Sequence, residues 1–150
     1  MKVNIRHPEM GDAAIIAALS KELGYPNATQ EMTAELIGEI SRDNRSIIFV
    51  AVHENVVIGW VQAILTTRLE SGTFAKITGL IVTEKWRSKS VGSQLVKFVE
   101  NWSVNQNVYT LKVRCNVKRA DAHRFYLRQE FKEEKEQKTF AKGLCNAEKS

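Results

Sequence analysis

The sequence contains few of the residues that build disulfide or metal sites. It has two cysteines, two prolines and three histidines in 150 residues. Cys115 and Cys145 stand far apart, with no CxxC pair and no Cys/His cluster around them. Structural zinc sites and disulfide frameworks need more cysteines, at closer spacing. We therefore expect no bound metal and no disulfide chemistry.

Long apolar runs are also missing. No run approaches the roughly 20 residues that a membrane-spanning helix needs, and residues 1–6 lack the apolar stretch of a signal peptide. We therefore expect a cytoplasmic protein without a membrane partner. A composition of 43% apolar and 26% charged residues suffices for one packed core and a hydrated surface. The length predicts a single domain over residues 1–150, with a frayed polar tail over 145–150.

The chain is basic, with 22 Lys and Arg against 17 Asp and Glu, a net charge of +5. Such a balance suits nucleic acid, a membrane surface or a phosphorylated small molecule as partner. The cations are spread along the chain, however, and their one dense cluster, at 85–89, lies in a loop. This distribution favours a local phosphate site, so we expect no nucleic-acid partner.

The first half of the chain predicts a strand, two helices and a hairpin. The strand covers residues 3–6, and the helices begin at the capping residues Asp12 and Thr29. The apolar faces of the two helices are formed by Ile15, Ile16, Leu19, Leu23, Met32, Leu36, Ile37 and Ile40. Two β-branched runs, 47–52 and 56–65, flank the turn at 53–55 and predict antiparallel strands.

The second half alternates strands with helices. We predict a strand at 74–82, a polar loop, a helix from residue 91, a strand at 109–115 and a short helix with Phe125 and Tyr126. A final β region runs from Phe131 to about Leu144. The predicted fold is α/β, with a mixed, mostly antiparallel sheet and the order β-α-α-β-β-β-α-β-α-β-β. The strands at 74–82 and 109–115 are parallel, because a helix crosses between them.

The junction of loop and helix at residues 83–92 is the most informative segment. The first turn of a helix presents backbone N–H groups that have no acceptor within the helix. The helix dipole adds positive potential there, so a diphosphate binds readily. Arg87 and Lys89 contribute charge, and Gly92 allows close approach of the backbone.

Two segments resemble the GNAT superfamily of N-acetyltransferases. Leu80-Ile81-Val82, followed by Arg87-x-x-Ser90-x-Gly92, is similar to the family's pyrophosphate loop, Arg/Gln-x-x-Gly-x-Gly/Ala. The stretch from Asn116 to Tyr126 resembles its Asn…Ala…Tyr segment. The resemblance covers essentially the whole chain and implies acetyl-CoA as co-substrate. It implies a cofactor site formed by Leu80, Ile81, Val82, Arg87, Ser88, Lys89, Ser90, Val91, Gly92, Ser93, Asn116 and Tyr126.

The sequence departs from the family pattern at three glycine positions. Ser88 and Ser90 replace loop glycines, and Glu130 replaces the glycine that usually follows the last helix. Serine is small and keeps its N–H donor, provided that its φ is negative. Glu130 is not the residue preferred at a helix C-terminus.

The resemblance also implies catalytic roles. In the family, a backbone N–H group of the strand before the loop donates a hydrogen bond to the thioester oxygen. Here Ile81, between Leu80 and Val82, is the best candidate for that donor. Tyr126 occupies the position of the acid that protonates the leaving thiolate, and Asn116 is placed to bind the pantetheine arm. Many relatives carry a glutamate base in the segment that here reads 76–79, which holds no carboxylate. The general base that deprotonates the amine is not assigned, and its candidates are Glu22, His7, His53 and a chain of waters.

The acceptor cannot be read from the residues, although Tyr25 is a candidate for lining its pocket. The length favours a small-molecule amine, such as an aminoglycoside, a polyamine or an amino-acid-like compound, over a protein. One alternative is a non-catalytic acyl-CoA-binding sensor or partner-binding module, suggested by Ser90 and Glu130. A nucleic-acid binder is suggested by the charge alone. The resemblance is compatible with a homodimer, which no residue decides.

Overall fold

The computed structural model describes residues 2–114 and 120–145, which hold five strands and four helices. In chain order these are β1 Asn4–Arg6, α1 Ala13–Glu22, α2 Gln30–Ser41, β2 Ser46–His53, β3 Val56–Arg68, β4 Gly72–Val82, α3 Val91–Asn105, β5 Leu111–Val113 and α4 Ala120–Arg128. Short 3₁₀ turns precede α1 at Met10–Asp12 and α3 at Glu84–Trp86. No helix in these ranges has the length and apolar character needed to cross a membrane.

The chain forms two compact units, Met1–Arg114 and Cys115–Ser150. The first unit contains the sheet with α1, α2 and α3, and the second contains α4. The proposal of a single domain over residues 1–150 stays a prediction.

The sheet has the strand order β1-β2-β3-β4-β5. The first three pairs are antiparallel, and β4 pairs with β5 in parallel. A parallel pair needs a long crossover connection, which α3 supplies. The mixed, mostly antiparallel sheet confirms the predicted α/β class and the parallel pair.

Helices cover both faces of the sheet, as the period-two alternation of its strands requires. Ile48, Val50 and Val52 of β2 pack in one cluster with residues of α1 and α2. The alternate residue Phe49 faces the other way, and its ring lies 5.4 Å from that of Phe98 in α3. The α1/α2 face of the sheet is the one that carries the cavity described below.

The two predicted helix caps differ in outcome. The Thr29 hydroxyl accepts a hydrogen bond from Met32 N–H at 3.1 Å, so the predicted cap of α2 is confirmed. Asp12 precedes α1, but its carboxylate caps nothing in that helix. Its backbone is already helical, because the 3₁₀ turn runs directly into α1. The carboxylate instead accepts two hydrogen bonds from Arg6, at 2.8 and 3.1 Å, and one from Glu9 N–H at 2.7 Å.

This arrangement predicts a pH dependence of stability. Hydrogen bonds from Arg6 lower the pKa of Asp12 below its ordinary value, against an opposing effect of burial. A lowered pKa contributes stability above the pKa of the unfolded state, and that contribution disappears as the pH falls through the folded-state value. We expect Asp12→Asn to lower the free energy of unfolding at pH 7 by about 1.5–3 kcal/mol. Urea unfolding at pH 7 and at pH 2.5 should show the difference shrinking in acid.

A matched control is Glu100→Gln, which removes an exposed carboxylate 3.9 Å from Lys97. An exposed pair of this kind contributes about 0–1 kcal/mol. A loss at Asp12→Asn that is no larger than in the control, or that persists unchanged in acid, would contradict the assignment.

The end of α4 is closed by a glutamate where the sequence lacks the usual glycine. Glu130 adopts the left-handed conformation, with φ of 69°. Glu130 N–H donates to the Leu127 carbonyl and Phe131 N–H to the Tyr126 carbonyl, each at 3.1 Å. The rings of Tyr126 and Phe131 meet edge to face at 5.6 Å. These bonds and this contact are those of a Schellman ending, formed here without glycine.

The predicted final β region from Phe131 to Leu144 is wrong, since residues 131–144 contain no strand. Residues 132–136 are all charged, and side chains from 132 to 144 are exposed. Such a segment has no apolar face to bury in a sheet. The predicted strand at 109–115 is likewise shorter than expected, because β5 covers only Leu111–Val113, while Cys115 lies outside the described residues.

Candidate active site

A cavity of about 630 Å³ lies between the sheet and the first two helices. It is lined by Ile16, Ser20, Leu23, Gly24, Tyr25, Pro26, Asn27, Ala28, Met32, Thr33, Leu36, Ile37, Ile40, Ile48, Trp60, Gln62, Thr78 and Gly79. Met32 and Leu36 were predicted on the apolar face of α2, yet they are 51% and 47% exposed. Their exposure follows from their position, because both side chains line the cavity.

The floor of the cavity depends on a glycine. A Cβ atom at Gly79 would lie 2.8 Å from Cη2 of the Trp60 indole, so any larger residue would displace the ring. The register of β3 and β4 shifts beside Gln62, opposite Thr78 and Gly79. Such a shift marks a β-bulge, which re-aims the strand locally. The indole Nε1 is buried and has no hydrogen-bond partner within the described residues.

Beyond the bulge, β4 has no strand partner on its second edge within residues 2–114, and we call this the open edge of β4. Pairing of β4 with β5 is limited to Ala75–Ile77 against Leu111–Val113. Thr83 N–H donates to the Ile58 carbonyl of β3 at 2.8 Å, and Trp60 pairs with Ile81. Since backbone groups alternate sides along a strand, Ile81 N–H also faces β3. Leu80 and Val82 therefore direct their N–H groups to the open edge.

This geometry corrects the prediction that Ile81 N–H is the donor for the thioester oxygen. That N–H belongs to the β3 ladder, whereas its two neighbours face outward. The carbonyl of Val82 also points outward, because it accepts a hydrogen bond from Arg87 Nε at 3.0 Å. Side-chain patterns do not reveal which strand edge is open. The sequence could therefore limit the N–H donor for the thioester oxygen only to one of residues 80–82.

The polar loop before α3 is held by Arg87. Besides its bond to Val82, the guanidinium lies 3.3 Å from the Glu22 carboxylate at the end of α1. Trp86 is buried, with its ring 4.6 Å from that of His53. The loop is therefore anchored to the sheet and to α1, while the Lys89 side chain is exposed.

Both serines that replace family glycines adopt the glycine conformation. Ser88 has φ of 63° and Ser90 has φ of 66°. The condition of a negative φ at Ser90 is thus not met, because the turn into α3 needs a left-handed residue there. Ser90 is the residue that caps α3, and its carbonyl accepts from Gln94 N–H at 3.0 Å. The loop keeps its course at the cost of backbone strain.

That strain predicts a stabilising substitution. A left-handed L-residue costs roughly 1–2 kcal/mol, and glycine loses more entropy on folding. We expect Ser90→Gly to raise the free energy of unfolding by about 0.5–1 kcal/mol. The affinity for acetyl-CoA should change less than about threefold, since the loop already follows this backbone. Urea unfolding and calorimetric titration measure the two quantities.

Ser93→Gly is the matched control, because Ser93 lies in the first turn of α3 with an ordinary helical backbone. Glycine within a helix is destabilising by roughly 0.5–1 kcal/mol. If Ser90→Gly destabilised the protein as the control does, the left-handed conformation of Ser90 would be disproved.

The predicted cofactor residues of the first unit form one continuous path. It runs from Leu80 and Val82 on the open edge, through Arg87 to Lys89, to the first turn of α3 at Val91 to Ser93. Val91 is buried and anchors the helix, and Gly92 is partly buried beside it. The binding role of these residues stays a prediction.

The other predicted residues lie elsewhere. Tyr25 lines the cavity and is 65% exposed. Tyr126 lies in α4, where its ring contacts Phe125 at 5.1 Å and Phe131 at 5.6 Å. Asn116 lies outside the described residues. The roles of all three stay predictions.

None of the three residues suggested as general base lines the cavity. Glu22 pairs with Arg87. His7 stacks on Phe49, on the α3 face of the sheet, at 5.3 Å. His53 Nδ1 lies 2.8 Å from the Lys2 carbonyl. The cavity residues named above include no aspartate, glutamate or histidine.

Sequence reasoning missed the cavity floor. The sequence analysis gave no site role to Trp60, Gln62 or Gly79, all of which line the cavity. A glycine inside a strand next to a bulge was the available signal, because it often marks a close approach by another group.

The comparisons with known proteins identify the family of the chain. The family model described as "Acetyltransferase (GNAT) family" matches residues 13–131. An aminoalkylphosphonate N-acetyltransferase of Salmonella typhimurium is 28% identical over 122 residues, covering 81% of this chain and 76% of that protein. The chain therefore belongs to the GNAT acetyltransferase family, whose members are acetyl-CoA-dependent N-acetyltransferases.

Solved structures share the fold. An aminoglycoside N-acetyltransferase, AAC(6')-Iy in complex with CoA, has a TM-score of 0.84 at 19% identity, covering 94% of this chain and 95% of that chain. A protein from Bacillus halodurans C-125 described as a transcriptional regulator has a TM-score of 0.84 at 23% identity, covering 93% and 99%. At these identities the likeness supports the fold alone.

Proposed function

We propose that this enzyme transfers an acetyl group from acetyl-CoA to the primary amine of a small molecule, by direct attack within a ternary complex. The main support is the open edge of β4, which lies between the loop before α3 and the cavity. Leu80 and Val82 supply two outward N–H groups there. Away from the outer edges of a sheet, nearly all backbone N–H groups are paired, so two unpaired donors on the inner strand β4 are available to a ligand.

The diphosphate of the cofactor belongs at the first turn of α3. The N–H groups of Val91 and Gly92 and the dipole of a 15-residue helix favour an anion there. Arg87 already bonds to Val82 and Glu22, so we assign it chiefly to holding the loop. Lys89 is exposed and contributes positive potential to the bound phosphates.

The acetyl group then lies near Leu80, which is closer to the cavity than Val82, since Thr78 and Gly79 line the cavity. The amine nitrogen attacks the thioester carbon, and the negative charge that develops on the oxygen is stabilised by Leu80 N–H. Collapse of the tetrahedral intermediate breaks the C–S bond. We assign protonation of the thiolate to the Tyr126 hydroxyl because the family resemblance gives it this role, and a tyrosine hydroxyl ordinarily carries its proton at neutral pH.

The amine nitrogen must lose a proton before it attacks. Because no carboxylate or imidazole is among the residues that line the cavity, we assign this proton to water. The rate at low acceptor concentration should therefore rise with pH toward the pKa of the amine.

The acceptor is a small molecule in this proposal. A cavity of about 630 Å³ lies within the range typical of small-ligand sites. Relatives and fold neighbours are named for small amines, an aminoalkylphosphonate and aminoglycosides. The cytoplasmic location and the homodimer stay predictions.

The test is acetyl-CoA-dependent acetylation by the purified protein, with CoA thiol release measured over a panel of small amines. Release that depends on both substrates supports the proposal. Micromolar binding of acetyl-CoA without release for any amine would favour the second candidate, a non-catalytic acyl-CoA sensor. That candidate draws on the three strained positions Ser88, Ser90 and Glu130.

A further inference from the structure

Cations are concentrated beside the cavity, at the part of the sheet where β3 ends and β5 pairs with β4. Arg68 ends β3, Lys76 lies in β4 and Arg114 follows β5. We call these three residues the rim cluster. The Arg68 guanidinium rests 5.5 Å from the centre of the Phe74 ring, which fixes it over β4. Val113, directly before Arg114, is the register partner of Ile77, directly after Lys76, so Arg114 and Lys76 lie close together across β4 and β5. The charges of Arg114 and Arg68 both lower the pKa of Lys76.

The rim cluster continues the face of the sheet that carries the cavity. Gln62 and Ile64 are two apart in β3, so they share a face, and Ile64 is the register partner of Lys76. Gln62 lines the cavity, and so does Thr78, two residues beyond Lys76. Lys76 thus stands at the rim of the cavity, on the side away from the loop before α3.

The surroundings of Lys76 disfavour the charged form of its side chain. Burial lowers its pKa, and the like charges of Arg114 and Arg68 lower it further. Within residues 2–114, no carboxylate forms an ion pair with any member of the rim cluster. Arg6 and Arg87, in contrast, both bind carboxylates. Lys76 is half-buried, while Arg68 and Arg114 are exposed. A bound anion would offset the repulsion that the two arginines exert on this partly desolvated ammonium.

We propose that the acceptor amine carries an anionic group, a phosphonate, phosphate or carboxylate, which the rim cluster binds while the amine points toward Gly79. This inference rests on the proposed function, because it specifies the acceptor of the same site. The anion fixes the far end of the substrate, so that the amine is held at the open edge of β4. A polycationic acceptor would meet like charge at the rim and no carboxylate among the cavity residues.

The kinetic experiment compares amines of one length with different tails. 2-Aminoethylphosphonate and β-alanine carry an anion, ethanolamine is neutral and 1,2-diaminoethane carries a second cation. We expect kcat/KM to follow that order, with the anionic amines highest. Lys76→Gln should lower kcat/KM for 2-aminoethylphosphonate about 10- to 100-fold, the effect of one charge-assisted hydrogen bond. Most of the change should be in KM, and ethanolamine should be unaffected.

Control variants separate the rim cluster from general effects. Lys97→Gln removes a cation from the exposed surface of α3. It should leave kcat/KM unchanged for both 2-aminoethylphosphonate and ethanolamine. Lys76→Arg should restore the preference for the anionic amine. An equal loss for all four amines, or no loss in Lys76→Gln, would overturn the proposal.

A binding measurement distinguishes failure of this proposal from failure of the proposed function. Calorimetric titration of 2-aminoethylphosphonate, with and without CoA, needs no turnover. Binding should persist in Gly92→Glu without CoA, since the α3 loop is not involved, and should be lost in Lys76→Gln. Absence of binding in both conditions, or equal binding to Lys76→Gln, would reject the rim cluster as an anion site even if other amines are acetylated. Binding without any acetylation would instead reject the transferase proposal.

Discussion

Replacing Gly92 by glutamate is expected to weaken acetyl-CoA binding about 100-fold or more, because like-charge contacts cost several kcal/mol. Gly92 is the second residue of α3, directly after Val91, in the turn where we place the diphosphate. A carboxylate there meets the phosphates in a region that the helix dipole otherwise makes positive. Calorimetric titration with acetyl-CoA measures the loss.

Gly92→Gln is the matched control, since it adds the same bulk without charge. We expect it to weaken binding clearly less than Gly92→Glu, and the difference between the two reports the electrostatic part. A folded Gly92→Glu protein with unchanged affinity would remove the first turn of α3 from the cofactor site. Circular dichroism and the melting temperature establish that both variants are folded.

Replacing Tyr126 by phenylalanine is expected to lower kcat by about 10²- to 10⁴-fold, the range that general acid catalysis contributes. The substitution suits the test, because the Tyr126 ring packs against Phe125 and Phe131 and a phenylalanine ring keeps both contacts. The dissociation constant of acetyl-CoA should change less than about threefold. Stopped-time assays of CoA release and calorimetric titration provide the two values.

Tyr109→Phe is the control for loss of a tyrosine hydroxyl at a distance from the chemistry. Tyr109 is 75% exposed and donates only a long hydrogen bond, at 3.4 Å, to Asn107. Its removal should leave kcat unchanged. If Tyr126→Phe lowered turnover and affinity to the same degree, the hydroxyl would be a binding group and the acid would have to be sought elsewhere.

Local sequence signals predicted most of the elements correctly. Thr29 before an apolar-periodic stretch predicted the start of α2, and the hydroxyl does cap it. The β-branched run at 47–52 predicted a strand, and β2 does cover Ser46–His53. These features depend on neighbours within a few residues, so the sequence alone suffices to predict them.

The predictions from sequence failed at positions where contacts made by the folded chain override a local preference. Asp12 is a good capping residue, but a 3₁₀ turn before α1 brings its carboxylate to Arg6 instead. At Ser90, a negative φ was the condition under which serine could replace the family glycine without strain. Trp86 and Val91 are both buried, and the short turn between them holds the Ser90 backbone in the left-handed conformation.

The sequence by itself determined the family of this protein, the α/β class, the position of the polar loop before α3 and the absence of a carboxylate from residues 76–79. Each of these features depends only on the type and order of residues that are close together in the sequence. Only the tertiary structure decided that Leu80 and Val82, and not Ile81, face the open edge, because that depends on which strand takes up the other edge. The gathering of Arg68, Lys76 and Arg114 also needed the fold, since residues from three strands meet only when the register of the sheet brings them together.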